Sequence, residues 1–276
     1  MNMKKRPHAV FAGKNTAGAG KFLLLGGGLD FINDMTLATV SALRACDVVF
    51  YMHGDTERCR STLHRICPEV RIEFLEGYKM SRLDIWRKIA AELKKGRRVA
   101  HFTYGHPLLI NEGVDLLHYC RRDGYAFRVV PALTAADNLL AMLAEHGYDA
   151  RTLTTGFSVR WARELLSPSF SPSSNLTMLF DIAEEIKLHG KKLLLSLERC
   201  YPPAHPVYLA RCADYMTKPA FTVLKVKDLS ASIGRIKHRM TLLLPPLAAA
   251  FKEPAKPVQS LSRRPRATRR RLQRHL

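Results

Sequence analysis

Apolar runs and helical stripes alternate through the first 150 residues. Lys21–Leu25 is a short apolar run ending in Gly26-Gly27-Gly28, the pattern of a buried strand entering a tight loop. From Met35 to Ala45 the apolar positions Leu37, Val40, Ala42 and Leu43 follow the helical period, and Asp47–Tyr51 is a second strand. Leu83–Lys95 carries Ile85, Ile89 and Leu93 at i, i+4 and i+8, and Gly96 ends that helix. Val99–Tyr104 and Phe127–Val130 read as strands, and Gly113–Arg122 and Ala135–Glu145 as helices. Such alternation predicts an α/β fold with a mostly parallel sheet.

The stretch Ser167–Asn175 (SPSFSPSSN) breaks the periodicity and is read as a linker between domains. Beyond it, strands are predicted at Leu176–Phe180, Leu193–Ser196, Ala220–Val226 and Met240–Leu244, with helices at Ile182–Leu188 and Val207–Tyr215. The expected organisation is a basic leader at 1–20, an α/β domain at 21–166, the linker at 167–175, a second α/β domain at 176–250 and a tail at 251–276.

Charge sharpens that division. The net charge is +20, and much of it sits at the two ends. Lys4, Lys5, Arg6 and Lys14 lie in the leader, and residues 252–276 carry nine Lys/Arg against Glu253 alone. Like-charge blocks of this kind are expected to be disordered. The Arg263–Arg271 run could also neutralise the phosphates of a nucleic acid. No apolar run approaches the length of a membrane span, and the basic start is not followed by the apolar segment of a secretory signal, so no membrane association is expected. Six cysteines without C-x-x-C spacing fit free thiols in a reducing cytoplasm. His101 and His106 stand five apart across a strand-to-loop junction, which is not a metal-ligand spacing.

Chemistry concentrates in the loops that follow strands. Gly26 and Gly28 could bring backbone close to a ligand, but a nicotinamide fingerprint needs a third glycine where Phe31 stands. Tyr104-Gly105-His106-Pro107 sits at a strand's carboxyl end, where open α/β sheets bind ligands. Pro131-Ala132-Leu133-Thr134-Ala135 follows the next strand, and Thr134 there can cap the following helix or offer a hydroxyl or N–H to a carboxylate.

In order and spacing these segments resemble the tetrapyrrole (corrin/porphyrin) methylase superfamily over residues 21 to 246. The resemblance implies two α/β domains with a cofactor cleft between them, a homodimer, and S-adenosylmethionine as methyl donor, with S-adenosylhomocysteine as product. It implies cofactor binding at Gly26, Gly28, Tyr104, Gly105, His106, Pro107, Pro131, Thr134 and Ala135. Histidine at 106, in place of the family's usual aspartate, is similar to the borosin branch, which methylates backbone amide nitrogens of ribosomal peptides. So are the opening loop and the ending Thr241–Pro246. The Arg-rich tail holds no apolar core segment, so the resemblance implies a separate precursor peptide as substrate.

The chain departs from the pattern at Leu108 and Ala132, where glycines are usual, and the alanine methyl would crowd the cofactor unless its φ is ordinary. The family's Arg and Tyr at i, i+4 on the helix before the third strand align in two ways. Without a gap, Tyr78 takes the Arg position and Arg82 the Tyr position; with one turn removed, Arg82 and Trp86 take them. An amide nitrogen becomes nucleophilic when its proton is removed and charge on the carbonyl oxygen is held. The implied catalytic residues are Tyr104, which positions the amide or accepts its proton, Arg82, which holds the oxygen, and Tyr78, which shares a proton with the partner of Arg82. Bulk favours the core for Trp86, and Arg82 competes with the simpler role of a solvated helix charge. Two alternatives stand beside this reading: a porphyrinoid C-methyltransferase, and a degenerate scaffold that binds nucleic acid through its basic tails.

Overall fold

The computed structural model describes residues 20–52, 57–76, 79–214 and 217–247. Tyr78, the leader before Gly20 and the whole tail from 251 lie outside the described residues. The chain divides into two compact units, Met1–Asn138 with Cys212–Ala220 and Leu139–Arg211 with Phe221–Leu276.

In the first unit, β1 (Lys21–Gly26), β2 (Val48–Tyr51), β3 (Arg71–Phe74), β4 (Arg98–Thr103) and β5 (Ala126–Val130) form one sheet in the order β3-β2-β4-β1-β5. Every pairing in it is parallel. β1 lies inside the sheet between β4 and β5 and is buried on both faces, which is why its sequence is an unbroken apolar run and not an alternation. Leu23 and Leu25 pack on one face with residues of α1 (Leu37–Arg44) and α2 (Glu57–Ile66). Phe22 and Leu24 pack on the other with α3 (Arg82–Leu93) and α4 (Gly113–Arg122). The stripe at Ile85, Ile89 and Leu93 is buried as its spacing predicts, and Trp86 beside it is 1% exposed. The Trp86 indole meets Phe22 edge-on at 5.7 Å between ring centres and donates to Asp123 at 2.7 Å. Trp86 is therefore a core residue, as its bulk suggests.

The second unit holds β6 (Phe157–Trp161), β7 (Leu176–Phe180), β8 (Pro206–Arg211), β9 (Ala220–Lys225) and β10 (Thr241–Leu244), in the order β6-β7-β10-β8-β9. β6 and β7 run parallel, whereas β10 is antiparallel to both β7 and β8. The short helix α6 (Ala150–Leu153) precedes β6; α7 (Ile182–His189) and α8 (Lys191–Cys200) pack together, and α8 also packs on the 3₁₀ segment Ala162–Leu166.

Three expectations are corrected here. Leu193–Ser196 is helix α8 and not a strand: residues 193, 194, 196 and 197 are buried while Leu195 is 56% exposed, a helical rhythm hidden in a run of leucines. Val207–Tyr215 is not a helix but begins in β8, whose Val207, Tyr208, Leu209 and Ala210 are all buried. The linker at 167–175 has no regular structure but is no boundary, because β6 before it pairs with β7 after it. The division between units falls instead at 138–139, inside α5 (Ala135–Glu145).

Candidate active site

Three loops leave the carboxyl ends of adjacent strands β4, β1 and β5, and they meet at Gly26. A β-carbon placed on Gly26 would lie 2.6 Å from the Gly105 carbonyl oxygen and 2.8 Å from both Ala132 Cβ and Pro107 Cδ. Only a hydrogen fits there, so glycine at 26 is a packing requirement rather than a matter of φ. Gly28 and Gly105 differ, with φ of 76° and 65°, in the left-handed region that disfavours side chains. The first two loops stay joined past the sheet: Gly27 N–H donates to Thr103 O and Gly105 N–H to Gly28 O, both at 2.9 Å.

Two residues not anticipated from the sequence build the first loop. Thr39, fully buried, donates its hydroxyl to Gly26 O at 3.0 Å, while Thr36 caps α1. The Asp34 carboxylate accepts from the backbone of Leu29 and Asp30, curling residues 29–34 around itself. Asp34 Cβ also occupies the space that a side chain at 28 would need. The available signal was the Asp-x-x-Asn-Asp run ahead of a Thr-capped helix.

In the second loop Gly105 and Pro107 are buried, and Tyr104 and His106 are half-buried. His106 Nδ1 accepts from Leu108 N–H at 3.2 Å, which leaves Nε2 as the nitrogen that carries the proton on the neutral ring. Burial pushes the His106 pKa below its usual value, against an opposing pull from Asp137. Leu108 is 37% exposed, so the side chain in the glycine's place points to solvent and not into packed chain.

The third loop is organised by its helix cap. Thr134 N–H and hydroxyl both donate to Asp137 Oδ2, at 2.6 and 2.8 Å, and Asp137 N–H donates back to Thr134 Oγ1. Thr134 caps α5 as expected, but the groups expected to greet a carboxylate are engaged by Asp137. Pro131 is exposed, and Ala135 opens the helix. Ala132 is not among the residues of positive φ, so its backbone is ordinary and its methyl is accommodated beside Gly26.

Arg82 stands at the start of α3, where its Nε meets Asp115 Oδ2 of α4 at 2.7 Å, both side chains being at least half exposed. The structure thus brings together Gly26, Gly28, Gly105, Pro107 and Ala132, and sets His106 in the field of Asp137. It leaves Arg82 in an ion pair of its own. Tyr51 is core, 2% exposed and stacked on Phe102. Among the described residues, no three His, Cys, Asp or Glu side chains gather to hold a metal ion.

A chain from Anomoporia bombycina described as a methyltransferase/ribosomally synthesized type III borosin cyclic peptide precursor is 27% identical over 83% of this chain and 28% of its own length. A type I borosin precursor of the same description from Coprinopsis marcescibilis is 29% identical over 85% of this chain and 64% of its own. The chain therefore spans less than two thirds of the length of these relatives. Among solved structures, a cobalt precorrin-4 methyltransferase superposes with a TM-score of 0.62 at 18% identity, covering 82% of this chain and 94% of the other. The uroporphyrin-III-C-methyltransferase of Thermus thermophilus gives 0.59 at 18% identity, covering 83% and 93%. The family model for Tetrapyrrole (Corrin/Porphyrin) Methylases matches residues 21–212, from the first residue of β1 to the residue after β8, and the chain belongs to that family.

Proposed function

We propose that this protein is an S-adenosylmethionine-dependent methyltransferase acting on backbone amide nitrogens of a peptide. The observation that carries the cofactor reading is the meeting of three strand-end loops at Gly26, where no β-carbon fits. Gly26, Gly28, Gly105, His106 and Pro107 would hold the cofactor, with Pro131, Thr134 and Ala135 at the rim. When bound, the sulfonium supplies an electrophilic methyl group. The chain's task is to exclude water, orient the amide and manage its proton.

The peptide substrate is supported by the borosin precursors among the relatives and by the Tyr104-Gly105-His106-Pro107 sequence. Tyr104 positions the amide or accepts its proton. For Arg82 to hold charge growing on the carbonyl oxygen, its guanidinium must turn away from Asp115. Exposed pairs of this kind are worth only about 0–1 kcal/mol, so the exchange is energetically accessible. Thr134 reaches a carboxylate only by releasing Asp137.

Calorimetric titration with S-adenosylhomocysteine tests the cofactor half. One site per chain is expected, and Gly26→Ala should weaken binding by more than about tenfold, or 1.4 kcal/mol. Absence of binding by ligand-free wild-type protein refutes it. Radiolabelled S-adenosylmethionine with candidate small encoded peptides tests the substrate half, the expected product carrying methyl groups on backbone nitrogen. Methylation of a uroporphyrinogen instead would move the protein to the porphyrinoid C-methyltransferases.

A further inference from the structure

Beneath the second loop lies a buried polar pair that the reaction above does not use. His101 is fully buried at the middle of β4, on the face covered by α3 and α4, and Glu112 is 9% exposed immediately before α4. Glu112 Oε1 and His101 Nε2 are 2.9 Å apart, and the same oxygen accepts from the Thr103 hydroxyl at 3.4 Å. Thr103 Oγ1 in turn accepts from Asn111 Nδ2 at 2.8 Å, and that amide also donates to the Tyr104 carbonyl at 3.2 Å. The donors run in one direction, Asn111 to Thr103 to Glu112, with His101 closing on the carboxylate from below. The backbone of Tyr104 is thereby tied through two side chains to a group deep in the core.

Two further features show that this segment is held rather than relaxed. Ile110, a β-branched residue, has φ of 52°, in the left-handed region. Such a residue stays there only where its surroundings over-determine it. Gly113 leaves no room for a β-carbon against the Pro107 carbonyl, so the end of the loop is wedged against its beginning. His101 Nδ1, buried, has no hydrogen-bond partner. A half-satisfied polar group inside a core is destabilising, and an apolar residue at 101 would serve packing alone better.

We infer that His101 and Glu112 are positioning residues, which hold Tyr104, Gly105, His106 and Pro107 in the geometry that receives the cofactor. The inference rests on the cofactor reading above. It goes beyond that reading by assigning the site's rigidity to a pair that touches neither cofactor nor substrate. The ligand contacts belong to residues 104–107; the pair fixes where they are.

The test uses the full chain with two readouts, amide hydrogen exchange across residues 104–110 and calorimetric binding of S-adenosylhomocysteine. Glu112→Ala is expected to speed exchange in that segment and to weaken binding at least tenfold. Glu112→Gln keeps an acceptor of the same shape and should restore both towards wild type, a rescue that loss of packing alone would not show. If Glu112→Ala does not fold, the double variant His101→Phe/Glu112→Leu replaces the pair by apolar groups of similar size. It should fold, yet show fast exchange at 104–110 and weak binding. Unchanged exchange and affinity in folded Glu112→Ala, or in the double variant, overturns the inference. Wild-type protein that binds no S-adenosylhomocysteine refutes the cofactor reading instead, and unchanged exchange at 104–110 still decides whether the pair holds the loop.

Discussion

Asp181 opens α7 at φ 60° and ψ 26°, a left-handed conformation that Asp and Asn tolerate better than other side-chain-bearing residues. Asp181 is solvent-exposed as a residue, but partial desolvation of its carboxyl raises its pKa above the usual 3.8, Glu184 and Glu185 add to the rise, and His238 and Arg163 oppose it. The folded state therefore takes up a proton more readily than the unfolded chain, and the ionised carboxylate weakens the fold at neutral pH. Asp181→Asn keeps the backbone preference and removes the charge. Its melting temperature should exceed that of wild type at pH 7. The advantage should shrink as pH falls through the raised range and vanish below the ordinary 3.8. At this scale the sequence disclosed the site unevenly. Gly26, Gly105, Pro107 and Thr134 were visible because glycine and proline mark backbone shapes and threonine marks a cap. Thr39, Asp34, His101 and Glu112 were not, since each acts through a partner that only the fold brings near. Arg82 was visible as a charge, but its pairing with Asp115 needed the side-by-side packing of α3 and α4.

Elements read most clearly where one face is buried and the other wet, as in α3, and least clearly where neither is. The run Leu193-Leu194-Leu195 gives no period within three residues, so burial alone decides it. Leu194 is 1% exposed and Leu195 56%. Leu194→Ala should cost about 2–5 kcal/mol by urea unfolding, while Leu195→Ala should change stability by less than about 0.5 kcal/mol. Comparable losses at both positions would contradict the helix. β8 misled for the converse reason: a strand buried on both faces carries no alternation, and its Val-Tyr-Leu-Ala run fits either period. α2 and β3 passed unread because their apolar residues are few among Arg, Glu and His. The linker-like composition at 167–175 marks an irregular connection inside a sheet and not the seam between units.

For the whole molecule, the alternation of strand and helix was enough to predict the α/β class, because two-faced burial of a parallel sheet leaves that signature. Charge at this scale makes a separate prediction. If the nine Lys/Arg in residues 252–276 hold RNA, as the nucleic-acid alternative has it, the full chain binds it in a salt-dependent manner. Deleting that segment should remove most of the binding and leave affinity for S-adenosylhomocysteine unchanged. Filter binding at several salt concentrations measures the first, calorimetry the second. RNA affinity that survives the deletion would place the contact elsewhere on the chain. Burial pushes the pKa values of Cys46, Cys120 and Cys212 up to about 12, so these three remain protonated thiols at neutral pH. The place of β1 in the sheet also has a consequence for biosynthesis. Among the described residues its strand neighbours are β4 and β5, and β4 begins roughly seventy residues later. At about 5–20 residues per second, Phe22–Leu25 leaves the ribosome about 4 to 15 seconds before either of its native partner strands. During that interval the Phe22–Leu25 run is a sticky nascent segment, and the yield of native protein depends on what shields it until β4 emerges.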